Sequence, residues 1–342
     1  MTRTAGYAGR VLRRVLRSKT TRVLFVLVAL GFLAAALVSS WQEAKNALVQ
    51  LSVPAVLGAQ VAVLGGLFLL FLAWRALLAD LGSQLPVGPA MRVLFTGQLG
   101  KYVPGSIWPF VAQMELAKKY HVPRRRTATA SVLGMIFTLA VGLVVAAATL
   151  PLAATAAART YWPALALVPL LLILLYPRVL NPLLNTALRL VRQQPLERPL
   201  SLRGTAVAFG WTLAAWMCFG GHSLLLTVGA GANAGLRVVP VAVGAYALGW
   251  SVGFLFVVAP AGAGAREAGI IAGLSPVLPA GSALVVALVS RLVMTLGDLL
   301  SAGLAVLVYR RRKPEAQALV QAAAQPDGHD GGADAGQPAT DR

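Results

Sequence analysis

The sequence has 342 residues, of which 58% are hydrophobic and only 12% are charged. Soluble domains average about 25% charged residues, so this composition excludes an ordinary soluble protein and indicates an integral membrane protein. The formal net charge is +19, but the basic residues flank apolar segments instead of clustering in one domain. This distribution is typical of membrane topology and argues against nucleic-acid binding.

Apolar segments long enough to cross a bilayer, about 17 to 25 residues each, recur along the chain. Seven Lys and Arg residues in segment 1–22 precede the first, which is too long for the apolar core of a signal peptide. The predicted spanning helices are 23–40, 53–74, 128–150, 161–177, 204–228, 238–259, 266–281 and 283–309. The predicted membrane domain therefore covers residues 23–309.

A further apolar stretch, 93–114, is interrupted by Lys101, Pro104 and Pro109. Basic residues flank it on both sides, and the positive-inside rule favours keeping both flanks cytoplasmic. We therefore predict a re-entrant hairpin here. With this choice, 23 of the 30 Lys and Arg residues fall on the cytoplasmic side and three fall outside. The prediction is an all-α protein of the cytoplasmic membrane with eight spans and both termini inside.

Two regions are predicted to lie outside the bilayer. Segment 178–203 has leucines at helical spacing beside arginines, which fits either a helix lying on the anionic inner leaflet or a plain basic loop. Residues 310–342 form the C-terminal segment, where Ala, Gly, Pro and Asp predominate after Lys313. Such a segment cannot bury a core, so we predict a disordered cytoplasmic tail.

Five charged residues fall within the predicted embedded segments. Each costs about 2.5–3.5 kcal/mol at the centre of a bilayer, so such residues mark either a substrate path or buried ion pairs. Arg291 and Asp298 are seven residues apart on one face of the last span, and Arg291 is a potential partner of Asp298 or of Glu267. The full set is Lys101, Arg266, Glu267, Arg291 and Asp298.

Two segments broken by Gly and Pro stand in the two halves of the chain, "GKYVPGS" at 100–106 and "PAGAGARE" at 260–267. Paired breaks of this kind are typical of transporters whose site is built from discontinuous helices in two pseudo-repeat halves. Glycine lets backbone amides approach a ligand, and a helix N-terminus favours an anion. Arg266 adds a two-pronged donor suited to phosphate. The alternative interpretation is a structural joint between two helices.

Three stretches in this order resemble the lysylphosphatidylglycerol synthase transmembrane-region family, which is also described as flippase-like. They are "GQLGKYVPGS" at 97–106, "PAGAGAREAG" at 260–269 and "ALVSRLVMTLGDLLSAGL" at 287–304. In bifunctional members, such a membrane domain moves aminoacylated phosphatidylglycerol between leaflets, and a separate soluble domain makes that lipid. The sequence has no such soluble domain, so the resemblance implies a lipid translocase without synthase activity.

We therefore expect the protein to move an anionic, phosphate-bearing lipid or lipid-linked precursor between leaflets. Basic residues would hold the phosphate, and the acids would act as counter-charges or as a proton-coupled switch. Glycines 262 and 264 would offer backbone donors, and Pro104 with Gly105 would shape the opposing hairpin. The predicted head-group site comprises Lys101, Pro104, Gly105, Gly262, Gly264, Arg266, Glu267, Arg291 and Asp298.

No enzymatic constellation is apparent. "GWSVG" at 249–253 matches a nucleophile elbow but lies inside a predicted span without suitable His and Asp partners. The single Cys218 and three separated histidines predict no metal site. No phosphate-binding loop for ATP occurs, so no cofactor is expected. The alternatives to a translocase are a membrane scaffold that recruits a lipid-modifying enzyme and, less favoured, an embedded transferase. A partner enzyme could supply the lipid.

The topology can be tested with single cysteines introduced into a Cys218→Ser background. Positions beside Lys45, Arg159 or Arg237 should react with a membrane-impermeant thiol reagent added to intact cells. Positions beside Arg124 should react only after permeabilisation, because the hairpin returns the chain to the cytoplasmic side. Labelling of intact cells beside Arg124 would refute the re-entrant assignment.

Overall fold

The computed structural model describes residue 38 and residues 41–102, 107–153, 165–190, 193–256, 262 and 264–324, with side chains described as far as residue 309. The basic segment 1–22, almost all of the predicted span 23–40 and residues 325–342 lie outside these described residues. Pro104 and Gly105 of the predicted site also lie outside them.

Eleven α-helices and no β-strand make up the regular structure of the described residues. In chain order they are α1 (Trp41–Gln50), α2 (Val53–Asp80), α3 (Val87–Met91), α4 (Trp108–Lys118), α5 (Arg124–Ala153), α6 (Leu167–Leu175), α7 (Pro177–Leu190), α8 (Leu202–Gly229), α9 (Val238–Leu255), α10 (Ala265–Leu274) and α11 (Ala280–Ala324).

Five helices of the described chain are long and apolar enough to cross a membrane, namely α2, α5, α8, α9 and α11. The pair α6 and α7 makes a sixth if it counts as one span bent by 71°. The chain is therefore an all-α, multi-pass membrane protein, as the composition predicted. The described residues do not reproduce the predicted count of eight spans.

The predicted span 266–281 is wrong. The helix in this region, α10, has only ten residues, which amounts to about 15 Å at 1.5 Å per residue. The hydrocarbon core is about 30 Å thick, so α10 cannot cross it. Helix α10 begins where the predicted span does but ends at Leu274, and Pro276 and Pro279 follow it, which do not continue a helix.

The long antiparallel pair α2 and α8 is tied together at one end by side-chain caps. The Ser201 hydroxyl accepts a hydrogen bond from the Gly204 amide at 2.9 Å, which satisfies a free donor at the start of α8. Asp80, at the end of α2, accepts from the Ser201 amide at 2.8 Å and from its hydroxyl at 2.6 Å. The end of α2 therefore also fixes the start of α8.

Aromatic packing joins α5, α8 and α9 in the core. Trp216 of α8 is 1% exposed and donates from its ring nitrogen to the Thr138 carbonyl of α5 at 3.0 Å. Its ring centre lies 6.1 Å from that of Tyr246 in α9. A Cβ added at Gly142 would lie 2.4 Å from the Trp216 ring, so glycine is needed for this approach. The cluster holds Tyr246 in a fixed position.

The chain between α2 and α5 folds into a hairpin, called here the first hairpin (residues 87–120). Its first arm contains α3, a π-helical turn (Arg92–Thr96) and a 3-10 turn (Leu99–Tyr102), and its second arm is α4. The arms are in close contact: a Cβ added at Gly97 would lie 2.4 Å from the Gln113 side chain, and one at Gly100 would lie 2.7 Å from the Pro109 nitrogen.

The first hairpin begins and ends at the same level of α11. The Arg92 guanidinium carbon lies 4.2 Å from the centre of the Tyr309 ring, and the Tyr120 ring centre lies 6.2 Å from it. Between these two contacts, Lys101 reaches Asp298, which is eleven residues before Tyr309. The chain thus enters from the Tyr309 end of α11 and returns there, as predicted for 93–114.

Helices α9 and α10 form a second hairpin (residues 238–274), which opens toward the Ala280 end of α11. Glycines allow their backbones to touch: a Cβ added at Gly269 would lie 2.7 Å from the Gly249 Cα, and one at Gly273 would lie 2.6 Å from the Ala245 Cα. Small residues at a helix–helix contact allow backbones to approach this closely. The two hairpins therefore approach the middle of α11 from opposite ends.

Segment 178–203 is helical over much of its length. Helix α7 turns by 71° from α6, and the Asn181 side chain bonds the Leu200 amide and carbonyl at 2.9 and 3.0 Å. The structure thus favours the helix over the plain loop.

Residues 310–324 differ from the prediction. They were predicted as part of a disordered tail but are helical as the end of α11. Ala, Gln, Glu and Leu are strong helix formers, and they predominate there.

The glycine contact between α9 and α10 predicts a stability effect. Gly269→Ala places a methyl group against the Gly249 backbone, and overpacking of this kind costs about 1–3 kcal/mol. We expect a lower thermal unfolding temperature in detergent. Gly210→Ala in α8 is the matched control, because a Cβ there meets nothing within 4 Å. An equal effect of the two substitutions would contradict the close packing of the second hairpin.

Candidate functional site

The site lies at the middle of α11. Eleven residues separate Ala280 from Arg291, and eleven separate Asp298 from Tyr309, so each charged residue is about 16 Å from its end of the apolar span. Seven residues separate the two, which places them on one face of the helix. Each of them binds the tip of one hairpin.

The tip of the first hairpin binds Asp298 through two neighbouring residues. The Lys101 ammonium lies 2.6 Å from the Asp298 carboxylate, and the Tyr102 hydroxyl donates to the same oxygen at 2.6 Å. Asp298 is 7% exposed, whereas the Lys101 side chain is 35% exposed. The carboxylate is therefore buried and neutralised, while its cation stays accessible from the hairpin tip.

The tip of the second hairpin binds Arg291 through Glu267. The Glu267 carboxylate is 1% exposed, and the Arg291 guanidinium lies 2.5 Å from it. Its other oxygen accepts a hydrogen bond from the Gly264 amide at 2.7 Å. This bond satisfies a free donor at the start of α10. Glu267 thus closes the helix start and connects it to α11.

Arg266, next to Glu267, has no acidic partner among the described residues. Its guanidinium donates to the Tyr246 hydroxyl at 3.3 Å and lies 5.3 Å from the centre of that ring. Its Nε atom is buried without any hydrogen-bond partner. Arg266 also lies within electrostatic range of the Tyr102 hydroxyl. Within the described residues, Arg266 is therefore a cation without a counter-charge, next to the Glu267 that binds Arg291.

Tyr246 is held by a buried histidine. The His222 ring centre lies 4.4 Å from that of Tyr246, with the rings nearly perpendicular. One His222 nitrogen contacts the Phe219 carbonyl, and the other lies 2.9 Å from the Ser290 hydroxyl, one residue before Arg291. His222 is 0% exposed. Its contacts with Phe219 and Ser290 fix its ring against Tyr246, and Tyr246 in turn contacts Arg266.

The structure brings the five predicted charged residues close together: two ion pairs use four of them, and Arg266 has no acidic partner within the part of the chain that the structure describes. Of the two predicted glycines, Gly264 has a different role from the one expected, because its amide donates to Glu267. Gly262 and Gly264 adopt left-handed backbone conformations, with φ of 67° and 85°, and a Cβ at Gly262 would lie 2.5 Å from the Gly253 carbonyl oxygen. They form the bend, and the Gly264 amide is engaged by Glu267 instead of pointing toward a ligand.

Sequence reasoning missed three residues of the site, Tyr102, Tyr246 and His222. The position of Tyr102 immediately after Lys101 was a usable signal. Nothing local marked Tyr246 or His222, because both lie within ordinary apolar helices and come near the site only through packing. Among the described residues, no group of His, Cys, Asp and Glu could hold a metal ion.

The fold and this site define a polytopic helical membrane protein with charged hairpin tips meeting at its centre. Residues 21–302 match the family described as the lysylphosphatidylglycerol synthase TM region. This match covers most of the chain, so the protein belongs to that family and the resemblance of its three motifs is confirmed. Among curated proteins, none matches the sequence.

The ion-pair assignments predict which substitutions destabilise the protein. Glu267→Gln keeps an acceptor for the Gly264 amide but leaves Arg291 without its counter-charge. Removing one partner of a buried pair costs about 3–5 kcal/mol, and partial exposure of Arg291 puts the expected loss near the lower figure. Thermal unfolding in detergent measures it. The double variant Glu267→Gln with Arg291→Gln should recover much of the loss.

Arg266→Ala provides the comparison, because it leaves no described acid without a partner. We expect its unfolding temperature to stay close to that of the unmodified protein. A large loss in Arg266→Ala, relieved by adding Glu267→Gln, would show that the Arg266–Glu267 dipeptide is a structural lock.

Proposed function

We propose that the protein is a lipid translocase that moves an anionic, phosphate-bearing lipid or lipid-linked precursor between the leaflets of the cytoplasmic membrane. The observation that carries the proposal is Arg266, a partly buried cation whose Nε is buried without a hydrogen-bond partner and which has no acidic partner among the described residues. An uncompensated cation at bilayer depth is costly unless an anion binds it. A guanidinium fits a phosphate through two parallel hydrogen bonds.

The two hairpins suggest how the head group crosses. Each hairpin opens toward a different end of α11, and each tip rests on α11 through one ion pair. A phosphate near Arg266 competes with Asp298 for Lys101 and with Glu267 for Arg291. Loosening one ion pair at a time would open the site to one side of the membrane and then to the other.

The partially exposed side chains suggest where the lipid sits. At the first hairpin tip Tyr102 is 44% exposed, Trp108 is 45% exposed and Ile107 is 62% exposed. An apolar cavity of about 320 Å³ lined by Gly100, Trp108, Val111 and Ala112 adjoins this tip. A head group at Arg266 would leave its acyl chains beside these apolar surfaces. In this proposal a separate enzyme makes the lipid, and this chain performs no chemistry on it.

Leaflet exchange in proteoliposomes tests the proposal. Lipids labelled on an acyl chain are bleached from outside with a membrane-impermeant reductant, and the protected fraction is followed with time. Arg266→Lys should slow exchange by about tenfold or more, because a point charge replaces the two-pronged donor. Arg266→Ala should slow it further.

Arg237→Ala is the matched control, because Arg237 is exposed at the start of α9. The substitution removes the same charge at a position away from the site. It should exchange lipid at the unmodified rate. A folded protein that exchanges no labelled lipid would favour the membrane scaffold, and a chemically altered lipid in the vesicles would favour the transferase.

A further inference from the structure

The charge balance at the hairpin tips specifies the charge of the ligand. The embedded segments contain three cations, Lys101, Arg266 and Arg291, and two acids. Two ion pairs use both acids and two of the cations, which leaves one positive charge. A ligand with one negative charge neutralises it. A phosphodiester carries one charge, whereas a phosphomonoester carries about −1.5 to −2 at neutral pH.

The same balance disfavours a head group that carries an ammonium. Glu267 is bound to Arg291, and Asp298 is bound to Lys101 and Tyr102. Each carboxylate is thus neutralised by a cation of the protein. While both ion pairs are formed, no carboxylate among the described embedded residues is left to compensate the amino group of an ethanolamine or aminoacylated lipid.

A buried amide provides a second, independent observation. Both polar atoms of the Gln60 side chain in α2 are buried without any hydrogen-bond partner. A Cβ added at Gly297 would lie 3.3 Å from the Gln60 amide nitrogen, so this amide packs against α11 one residue before Asp298. Leaving such groups unsatisfied is unfavourable, which points to a ligand that supplies the missing bonds.

An amide offers both a donor and an acceptor without net charge. The group that satisfies both is a hydroxyl, which can donate one hydrogen bond and accept another. Gln60 is therefore suited to the uncharged, hydroxyl-bearing part of a head group, while Arg266 is suited to its phosphate.

We infer that the site selects a phosphodiester lipid of single negative charge whose head group is an uncharged alcohol, and that Gln60 recognises that alcohol. This inference rests on the proposed translocase function. It adds that head groups bearing an amine, including aminoacylated ones, and phosphomonoester lipids are poorer substrates. Gln60 is thereby a specificity-determining residue in α2, outside both hairpins.

The test compares four lipids with the same acyl-chain label in proteoliposomes of the full-length protein: phosphatidylglycerol, phosphatidylethanolamine, lysylphosphatidylglycerol and phosphatidic acid. Phosphatidylglycerol should exchange at least threefold faster than each of the others. Gln60→Met, which keeps the side-chain length, should slow phosphatidylglycerol exchange about three- to tenfold through loss of hydrogen bonds. It should leave phosphatidic acid exchange unchanged.

Gln60→Glu is the more discriminating variant. It cancels the excess positive charge and supplies a carboxylate for an amine, so phosphatidylethanolamine exchange should rise while phosphatidylglycerol exchange falls. Gln42→Glu, the same change at an exposed position of α1, should alter neither. A binding-independent folding defect would instead slow all four lipids in parallel.

Two outcomes overturn the inference and differ in what else they affect. Equal exchange of all four lipids, or amine-bearing lipids moving at least as fast as phosphatidylglycerol, refutes the head-group selectivity and leaves the translocase function standing. Parallel slowing of all four lipids in a Gln60→Met protein whose thermal unfolding temperature is unchanged also refutes a specificity role. Absence of exchange for every lipid in the folded, unmodified protein removes both the selectivity and the proposed function.

Discussion

A charged side chain in the middle of a bilayer is stable only beside a compensating charge or in contact with water. This protein gathers five charged residues around the middle of α11, a helix long and apolar enough to cross a membrane. Arg291 and Asp298 on α11 each bind an oppositely charged residue from a different hairpin. Since breaking a buried pair costs about 3–5 kcal/mol, each pair fixes a hairpin tip. The position of both hairpins therefore depends on one face of one helix.

Interrupted helices raise a second requirement, because free backbone groups cannot be left in hydrocarbon. At the second hairpin the Glu267 side chain meets both requirements together, through the Gly264 amide and the Arg291 guanidinium. Left-handed glycines make the bend before it. This arrangement explains why an acid follows the glycine-rich break: Glu267 completes the helix start, while the neighbouring Arg266 has no acidic partner among the described residues.

Much of this architecture could be predicted from the sequence, because the positions of basic residues and of apolar segments indicate membrane topology. The fold class, the first hairpin and the five charged site residues all follow from local patterns. The short length of α10 does not, because an apolar stretch after a break looks like a full span until its packing against Gly249 is known. The ion-pair partner of Arg291 could not be predicted from the sequence either, because both Asp298 and Glu267 were candidates. The tertiary structure shows that the partner is Glu267. Residues such as Tyr246 and Gln60 carry no local signal.

The pairing pattern also bears on energy coupling. In the proposed translocase, one negative head group that approaches Arg266 would compete for Lys101 on one side and for Arg291 on the other, so the same ligand would weaken either hairpin contact. Because binding to one state shifts populations only by its differential affinity, a ligand with similar access to both contacts drives no net direction. A translocase built in this way equilibrates its lipid between leaflets. Directional transport would then depend on the enzyme that supplies the lipid or on a proton taken up at Asp298 or Glu267.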